Sequence, residues 1–412
     1  MKRSVVFIFV LSSFLTAYSK TIKVGAGEPI KSIKDAITKA EPGDTVLVLP
    51  GIYKEGNIIL EKSIYLLGEG YPTLSGENKF EILTVHTTGA VIQGLRFVDT
   101  GIGSMDDKAA IKLLDCKNLK VIGNKFENTF FGIYLANSSH IWIERNELES
   151  REQVEHQIGN GIHLWKCEYI TIDQNKIKGH RDGIYFEFVT NTLITNNYSE
   201  GNMRYGLHFM FSHNNEYRDN TFINNGAGVA VMYTKGVKMI NNHFIHNWGS
   251  SSYGLLLKEI SDSFISGNVF EQNSIGIIME GGSRNKILEN RFIRNGYAFK
   301  LPASSDDNII SRNNFQQNTF DLVTNGSLAL NKIESNYWDR YEGYDLNRDQ
   351  IGDVPYRPIS MYGMIVERMP TAILLWRSFL VFLLDRAEKA IPVITPVNLV
   401  DNLPAMKPYD FN

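Results

Sequence analysis

The chain of 412 residues has only two cysteines, Cys116 and Cys167, and no large excess of either charge. Its formal net charge of −3 argues against nucleic acid or an acidic polymer as the main partner. The two cysteines could pair in an oxidising compartment. They fall at different points of the repeat described below, however, so we expect free buried thiols.

The sequence also lacks an apolar run long enough to cross a bilayer. Its first residues combine a basic pair, an apolar stretch from Val5 to Leu15 and a small-residue site at Ala17-Tyr18-Ser19. This pattern is typical of a secretory signal peptide, which we assign to residues 1–19. The mature protein is therefore expected to be exported.

A repeat of about 22 residues is what the sequence does contain. Each copy has a glycine followed by a short alternating strand, and the successive intervals are 29, 22, 23, 22, 26 and 22 for Gly132, Gly161, Gly183, Gly206, Gly228, Gly254 and Gly276. Helical repeats would space their apolar residues by three and four, which this sequence does not do. The period and the Asn- and Gly-rich turns predict an all-β fold, a parallel β-helix.

The two ends differ from the repeat and predict five segments. After the signal peptide, residues 20–58 begin with a helix-like run and form an N-terminal cap, and the β-helix spans 59–338. A polar, turn-rich segment follows at 339–370. The last segment, 371–412, is expected to hold one helix from about Thr371 to Lys389 and an extended tail.

An uncommon set of side chains is predicted on the outer face of the β-helix. Strand alternation turns Leu207 and Phe209 inward, so His208 and Met210 point outward, with Met232 one coil beyond Met210. Imidazole and thioether groups are ligands that suit Cu(I). His208, Met210 and Met232 are therefore candidate copper ligands, and His163 flanks them from two coils away. The alternative is that these residues only line a partner-binding surface.

A second ion site is possible but not favoured. The spacing of Asp345, Asn347 and Asp349 resembles the start of a calcium loop, but the following glycine and the distal glutamate of an EF-hand are missing. Asx residues that cap turns explain the segment equally well.

Two stretches resemble the NosD family, periplasmic proteins that take part in the maturation of nitrous oxide reductase. They are "GLHFMFSHNNEYRDNTFINNGAGVAVMYTKGVKMINN" and "LLWRSFLVFLLDRAEKAIPVITPVNLVDNLPAMKP". The resemblance covers essentially all of the mature chain. It implies a right-handed parallel β-helix. It also implies a non-enzymatic protein that works with an ABC-type permease and its ATPase, and with a copper chaperone, to deliver copper to the copper–sulfur centre of nitrous oxide reductase.

That resemblance gives the terminal helix a role near the membrane, since it would dock onto the permease and associate the protein with the inner membrane. The competing interpretation is a polysaccharide lyase or epimerase, which also uses a β-helix with an outer groove. Tyr185, Glu187 and His208 could serve such chemistry. In the coils that follow, the outward residues are Ala230, Met232 and Leu256, whose side chains would bind an anionic sugar poorly. A carbohydrate-binding protein is a third interpretation, and it gives no reason for the apolar helix.

Overall fold

The computed structural model describes residues 19–103, 107–151, 154–326, 330–390 and 399–411. Within them the chain winds into a solenoid of three parallel sheets with 14, 12 and 13 strands. The predicted all-β parallel β-helix is thus confirmed. The expected signal peptide lies outside the described residues, apart from Ser19.

Each complete coil contributes one strand to each sheet, and the coils at the two ends lack one or two strands. Sheet 1, which carries the candidate site, consists of Ile58–Leu60, Leu83–Val85, Ala109–Leu114, Phe131–Ala136, Ile162–Trp165, Asp182–Glu187, Tyr205–Met210, Ala227–Met232, Leu255–Lys258, Ile275–Glu280, Tyr297–Lys300 and Phe320–Val323. Sheet 2 consists of Thr21–Val24, Thr45–Val48, Tyr65–Gly68, Val91–Gln93, Lys117–Ile122, Ser139–Glu144, Thr171–Asp173, Leu193–Thr195, Glu216–Arg218, Lys238–Ile240, Phe264–Ser266, Lys286–Leu288, Ile309–Ser311 and Lys332–Glu334. Sheet 3 consists of Ile52–Tyr53, Thr73–Ser75, Arg96–Val98, Lys125–Glu127, Glu147–Glu149, Lys176–Lys178, Tyr198–Glu200, Thr221–Ile223, His243–Ile245, Val269–Glu271, Arg291–Ile293, Asn314–Gln316 and Tyr337–Trp338.

Apolar ladders fill the bore of the solenoid. In sheet 1 the predicted inward residues are fully buried, including Leu207, Phe209 and Val229. In sheet 3 a column of aromatic rings stacks at centroid distances of 4.2–5.5 Å along Phe222, Phe244, Phe270, Phe292, Phe315 and Trp338. Each coil alone would leave its apolar face in water, so neighbouring coils stabilise one another.

Ladders of asparagine side chains link neighbouring coils at the turns between strands. The side-chain amide of Asn197 donates to the Asn220 carbonyl oxygen at 3.0 Å, and Asn220 donates in the same way to Asn242. That carbonyl oxygen also accepts the backbone N–H of the preceding asparagine, at 2.9 Å for Asn197. Buried polar groups at the turns are thereby satisfied from coil to coil.

The two ends of the stack are covered. Helix α1, Ile33–Lys39, buries Ile33, Ala36 and Ile37 against the first coils, and Ser32 caps its N-terminus. Strands at Thr21–Val24 and Thr45–Val48 already belong to sheet 2, so coil stacking begins inside the segment expected to be a cap.

At the other end the Asp401 carboxylate accepts from the backbone N–H groups of Ser335 and Asn336, both at 3.0 Å, and from the indole N–H of Trp338 at 3.0 Å. It occupies the place of a next asparagine in the ladder. The described part of the tail, residues 399–411, thus closes the solenoid, and the rest of the expected tail, 391–398, lies outside the described residues.

The single helix expected from Thr371 to Lys389 is wrong in detail. The structure has helix α2 at Met361–Arg368, a 3-10 turn at Pro370–Leu375 and helix α3 at Phe379–Ala390. Arg377 adopts a left-handed backbone with φ of 66°, which ends the turn, and the Ser378 hydroxyl accepts from the Val381 N–H at the start of α3. No helix among the described residues is long and apolar enough to span a bilayer.

Candidate metal site

The register of sheet 1 is the one that the sequence predicts. Met210 pairs with Glu187 on one side and with Met232 on the other. One column away, His208 lies between Tyr185 and Ala230. Both methionines are partly exposed on the outer face, while their inward neighbours are fully buried.

His208 is the most enclosed member of the set. Only 5% of its surface is exposed, and the rings of Tyr185 and Tyr205 pack against it at 5.1 and 4.6 Å. Its Nδ1 lies 3.4 Å from Oδ2 of the buried Asp182, and its Nε2 has no hydrogen-bond partner among the described residues. A buried ring nitrogen without a partner is uncommon, and a metal ion would satisfy it.

His163 is placed differently from the other three candidates. Its ring is stacked between Tyr134 and Tyr185 at 4.8 Å on each side, so Tyr185 separates it from His208. Burial lowers the pKa of His163 to about 3, which keeps its imidazole neutral. Its Nδ1 accepts from the Asn160 side-chain amide at 3.0 Å. The structure therefore brings His208, Met210 and Met232 to neighbouring positions and leaves His163 one coil beyond Tyr185.

Carboxylate and phenol groups border the methionines. Glu187 lies beside Met210 in register, and the Tyr185 hydroxyl lies 3.5 Å from a Glu187 carboxylate oxygen. Burial raises the pKa of Tyr185 to about 12, so this phenol stays protonated. Beyond Ala230 the outward column continues with the apolar Leu256 and Ile278, which offer no charge to an anionic sugar.

Metal groups made of His, Cys, Asp or Glu alone are absent from the described part of the chain, where no three such side chains cluster. A site on sheet 1 would therefore need the methionine sulfurs. His208 with two thioethers is a donor set that fits Cu(I), which accepts few and soft ligands.

Sequence patterns did not link Asp182 to this site. Asp182 immediately precedes Gly183, one of the landmark glycines that mark the repeats, and Tyr205 occupies the same position in the next coil. The signal in the sequence that could have found Asp182 is the identity of the residue that precedes each of these glycines.

An exposed aromatic stack flanks the methionines. Phe188, Phe211 and Tyr233 each follow Glu187, Met210 or Met232 directly, and their rings stack at 5.5 and 5.1 Å. All three have φ between 50° and 56°, a conformation that disfavours bulky residues. In other coils Asn137 and Gly281 at this corner accord with that preference, whereas Lys166 and Glu259 do not.

The cysteines require a correction. Backbone pairing of Lys117 with Ser139, and of Ser139 with Glu168, puts Cys116 and Cys167 in the same column with Ser138 between them. Both thiols are nevertheless free and buried, as expected, because they lie two coils apart, roughly 10 Å.

The possible calcium segment folds as a set of Asx turns. Asp345 accepts the backbone N–H groups of Arg348, Asp349 and Gln350, and Asn347 accepts that of Asp349. These bonds use the oxygens that calcium would need, so the turn-capping interpretation is the better one.

The fold and the outer face together define a three-sheet parallel β-helix with a thioether- and imidazole-bearing surface. Among solved structures, the fold is similar to PfbA, a surface adhesin of Streptococcus pneumoniae (TM-score 0.57, 14% identity, 71% of this chain and 86% of that one). It is also similar to the catalytic domain of a GH87 α-1,3-glucanase (TM-score 0.62, 13% identity, 78% and 69%). At such identities the likeness shows the fold alone.

Sequence comparisons are more specific. The family described as "Periplasmic copper-binding protein (NosD)" matches residues 151–347, which include every candidate ligand. A protein of Pseudomonas aeruginosa strain PAO1 named "Probable ABC transporter binding protein NosD" is 29% identical, with 85% of this chain and 86% of that protein covered. A protein of the same name from Stutzerimonas stutzeri is 26% identical, with 87% and 86% covered. Together these matches support assignment of the chain to the NosD family.

Proposed function

We propose that this protein is a periplasmic copper-handling accessory protein. It binds Cu(I) on the outer face of sheet 1 through His208, Met210 and Met232, and it works with an ABC-type transporter to deliver copper to the copper–sulfur centre of nitrous oxide reductase. The observation that carries the proposal is the unpartnered, buried Nε2 of His208 on the strand whose Met210 pairs in register with Met232.

Copper delivery requires a site that both holds and releases the ion. Three soft ligands on one open sheet face leave the ion accessible to a partner, whereas a closed cage would slow its release. The rigid coil stack fixes the positions of the ligands, and the aromatic stack of Phe188, Phe211 and Tyr233 offers an apolar contact for an approaching copper protein.

The family and the names of its relatives support the transporter part. Both relatives are named as ABC transporter binding proteins. The 3-10 turn and α3 expose large apolar side chains, including Leu374 and Phe379, which would contact the permease.

Copper binding is tested with the mature full chain, loaded anaerobically with Cu(I) and titrated against a chromogenic chelator. We expect one ion per chain, and we expect the His208→Ala/Met210→Ala/Met232→Ala variant to lose it because all three donors are gone. A matched control, His246→Ala/Met361→Ala/Met369→Ala, removes the same residue types elsewhere and should bind normally. Equal binding by the first variant and the wild type would reject this ligand set.

A further inference from the structure

Asp182 is a buried carboxylate at a position where its neighbours are uncharged. Its side chain is only 1% exposed, and the same column holds Tyr205 in the next coil and Ala227 in the one after. Burying a carboxylate costs free energy unless hydrogen bonds and charges compensate. Its partners therefore indicate why it is there.

The partners of Asp182 are unequal. Its Oδ1 lies 3.8 Å from Nε of Arg204, an ion pair at a partly exposed arginine, and forms no hydrogen bond. Its Oδ2 meets Nδ1 of His208, and both of these side chains are almost fully buried. The directional contact of this carboxylate is thus the imidazole.

That contact sets the tautomer of His208. Because a carboxylate can only accept, Nδ1 carries the proton and Nε2 keeps its lone pair. Tyr185 and Tyr205 pack against the same ring and limit its rotation. In metal proteins, a carboxylate on the far nitrogen of a ligating histidine fixes the ring in this way and strengthens the nitrogen that binds the metal.

We propose that Asp182 is the positioning residue of the copper site: it holds His208 as the Nδ1–H tautomer, so that Nε2 is the nitrogen that binds Cu(I). This inference rests on the proposed function and adds a residue that does not itself touch the ion.

The test uses the full mature chain and its Asp182→Asn variant, which keeps the shape of the side chain. An amide can donate to Nδ1, which favours the Nε2–H tautomer and blocks the ligating lone pair. We expect the Cu(I) affinity to fall about 10- to 100-fold. In copper-free protein labelled with 15N-histidine, the His208 signals, assigned with His208→Ala, should change from the Nδ1–H to the Nε2–H pattern.

Arg204→Gln is the matched control, because it removes the other partner of Asp182 and leaves the Nδ1 contact in place. Its Cu(I) affinity should stay within about threefold of wild type. A purely structural Asp182 would make Asp182→Asn less stable while leaving the affinity and the tautomer unchanged, and that result would overturn the inference alone. Failure of the wild type to bind Cu(I) would overturn the proposed function as well.

Discussion

At the scale of single residues, one of the asparagine columns contains a histidine, His180, in place of an asparagine. His180 stands in a column that continues with Asn202 and Asn225, and its backbone N–H donates to Asn202 as an asparagine there would. Its side chain is fully buried, yet neither ring nitrogen has a hydrogen-bond partner among the described residues. Burial lowers the pKa of His180 to about 4.

This histidine makes the protein sensitive to acid. An unfolded histidine takes up a proton near pH 6.5, whereas folded His180 resists protonation until about pH 4. Because of His180, the free energy of unfolding is therefore highest above pH 6.5. It falls by on the order of 3 kcal/mol as the pH drops from 6.5 to 4.

We expect His180→Asn to reduce that sensitivity, while the buried His163 keeps its own contribution, and to restore the side-chain bond to Asn202. Thermal unfolding at pH 7 and pH 5 should show a smaller drop in Tm for the variant than for the wild type. His156→Asn, at an exposed histidine, should behave like the wild type. An equal drop in all three proteins would show that His180 does not set the acid response.

At the scale of elements, the landmark glycines at the start of the sheet 1 strands from Phe131–Ala136 to Ile275–Glu280 permit close approach of the coils. A Cβ atom at Gly254 would lie 2.8 Å from the Gly276 carbonyl oxygen and 3.1 Å from the ring of Phe270. The first neighbour is a backbone atom and the second is a side chain in the packed interior of the solenoid, so neither moves easily. We expect Gly254→Ala to lower the free energy of unfolding by about 1–3 kcal/mol in urea titrations.

Gly27→Ala is the control for that experiment, because a Cβ there meets nothing within 4 Å. Its free energy of unfolding should stay within about 0.5 kcal/mol of the wild-type value. Similar effects of the two substitutions would mean that the close approach at Gly254 does not determine the cost.

Particular elements also show which parts of the fold and of the candidate site the sequence could predict. Strand alternation and the landmark glycines predict the register of Met210 and Met232, because each outer position repeats once per coil. Cys116 was misplaced because its coil has Ala110 where later coils have the landmark glycine. The contact of Asp182 with His208 could not be predicted, since it joins two coils across the bend at a glycine.

At the scale of the whole molecule, the candidate site and the apolar helices lie apart. Four coil steps separate the Ala227–Met232 strand from the last strand of sheet 1, Phe320–Val323, so the distance along the stack is roughly 20 Å. A permease bound at the helices, as proposed, would therefore affect the candidate copper site only through the stack.

The terminal helices bury one set of apolar side chains and expose another. Tyr362, Ala372 and Val381 pack with Phe320 into a small cluster that holds them to the last coil. On the other side Leu374, Phe379 and Phe382 are 86%, 73% and 52% exposed. An apolar face of this kind in water indicates a binding surface.

We therefore expect Leu374→Ser/Phe379→Ser/Phe382→Ser to abolish co-purification with the permease and ATPase while leaving Tm within a few degrees, since the substituted side chains lie outside the cluster. Ile52→Ser/Leu346→Ser removes two equally exposed apolar residues elsewhere and should leave the complex intact. Cu(I) binding should be normal in both variants, because the site is distant. Recovery of the complete complex with the helix variant would place the permease contact on another surface of the solenoid.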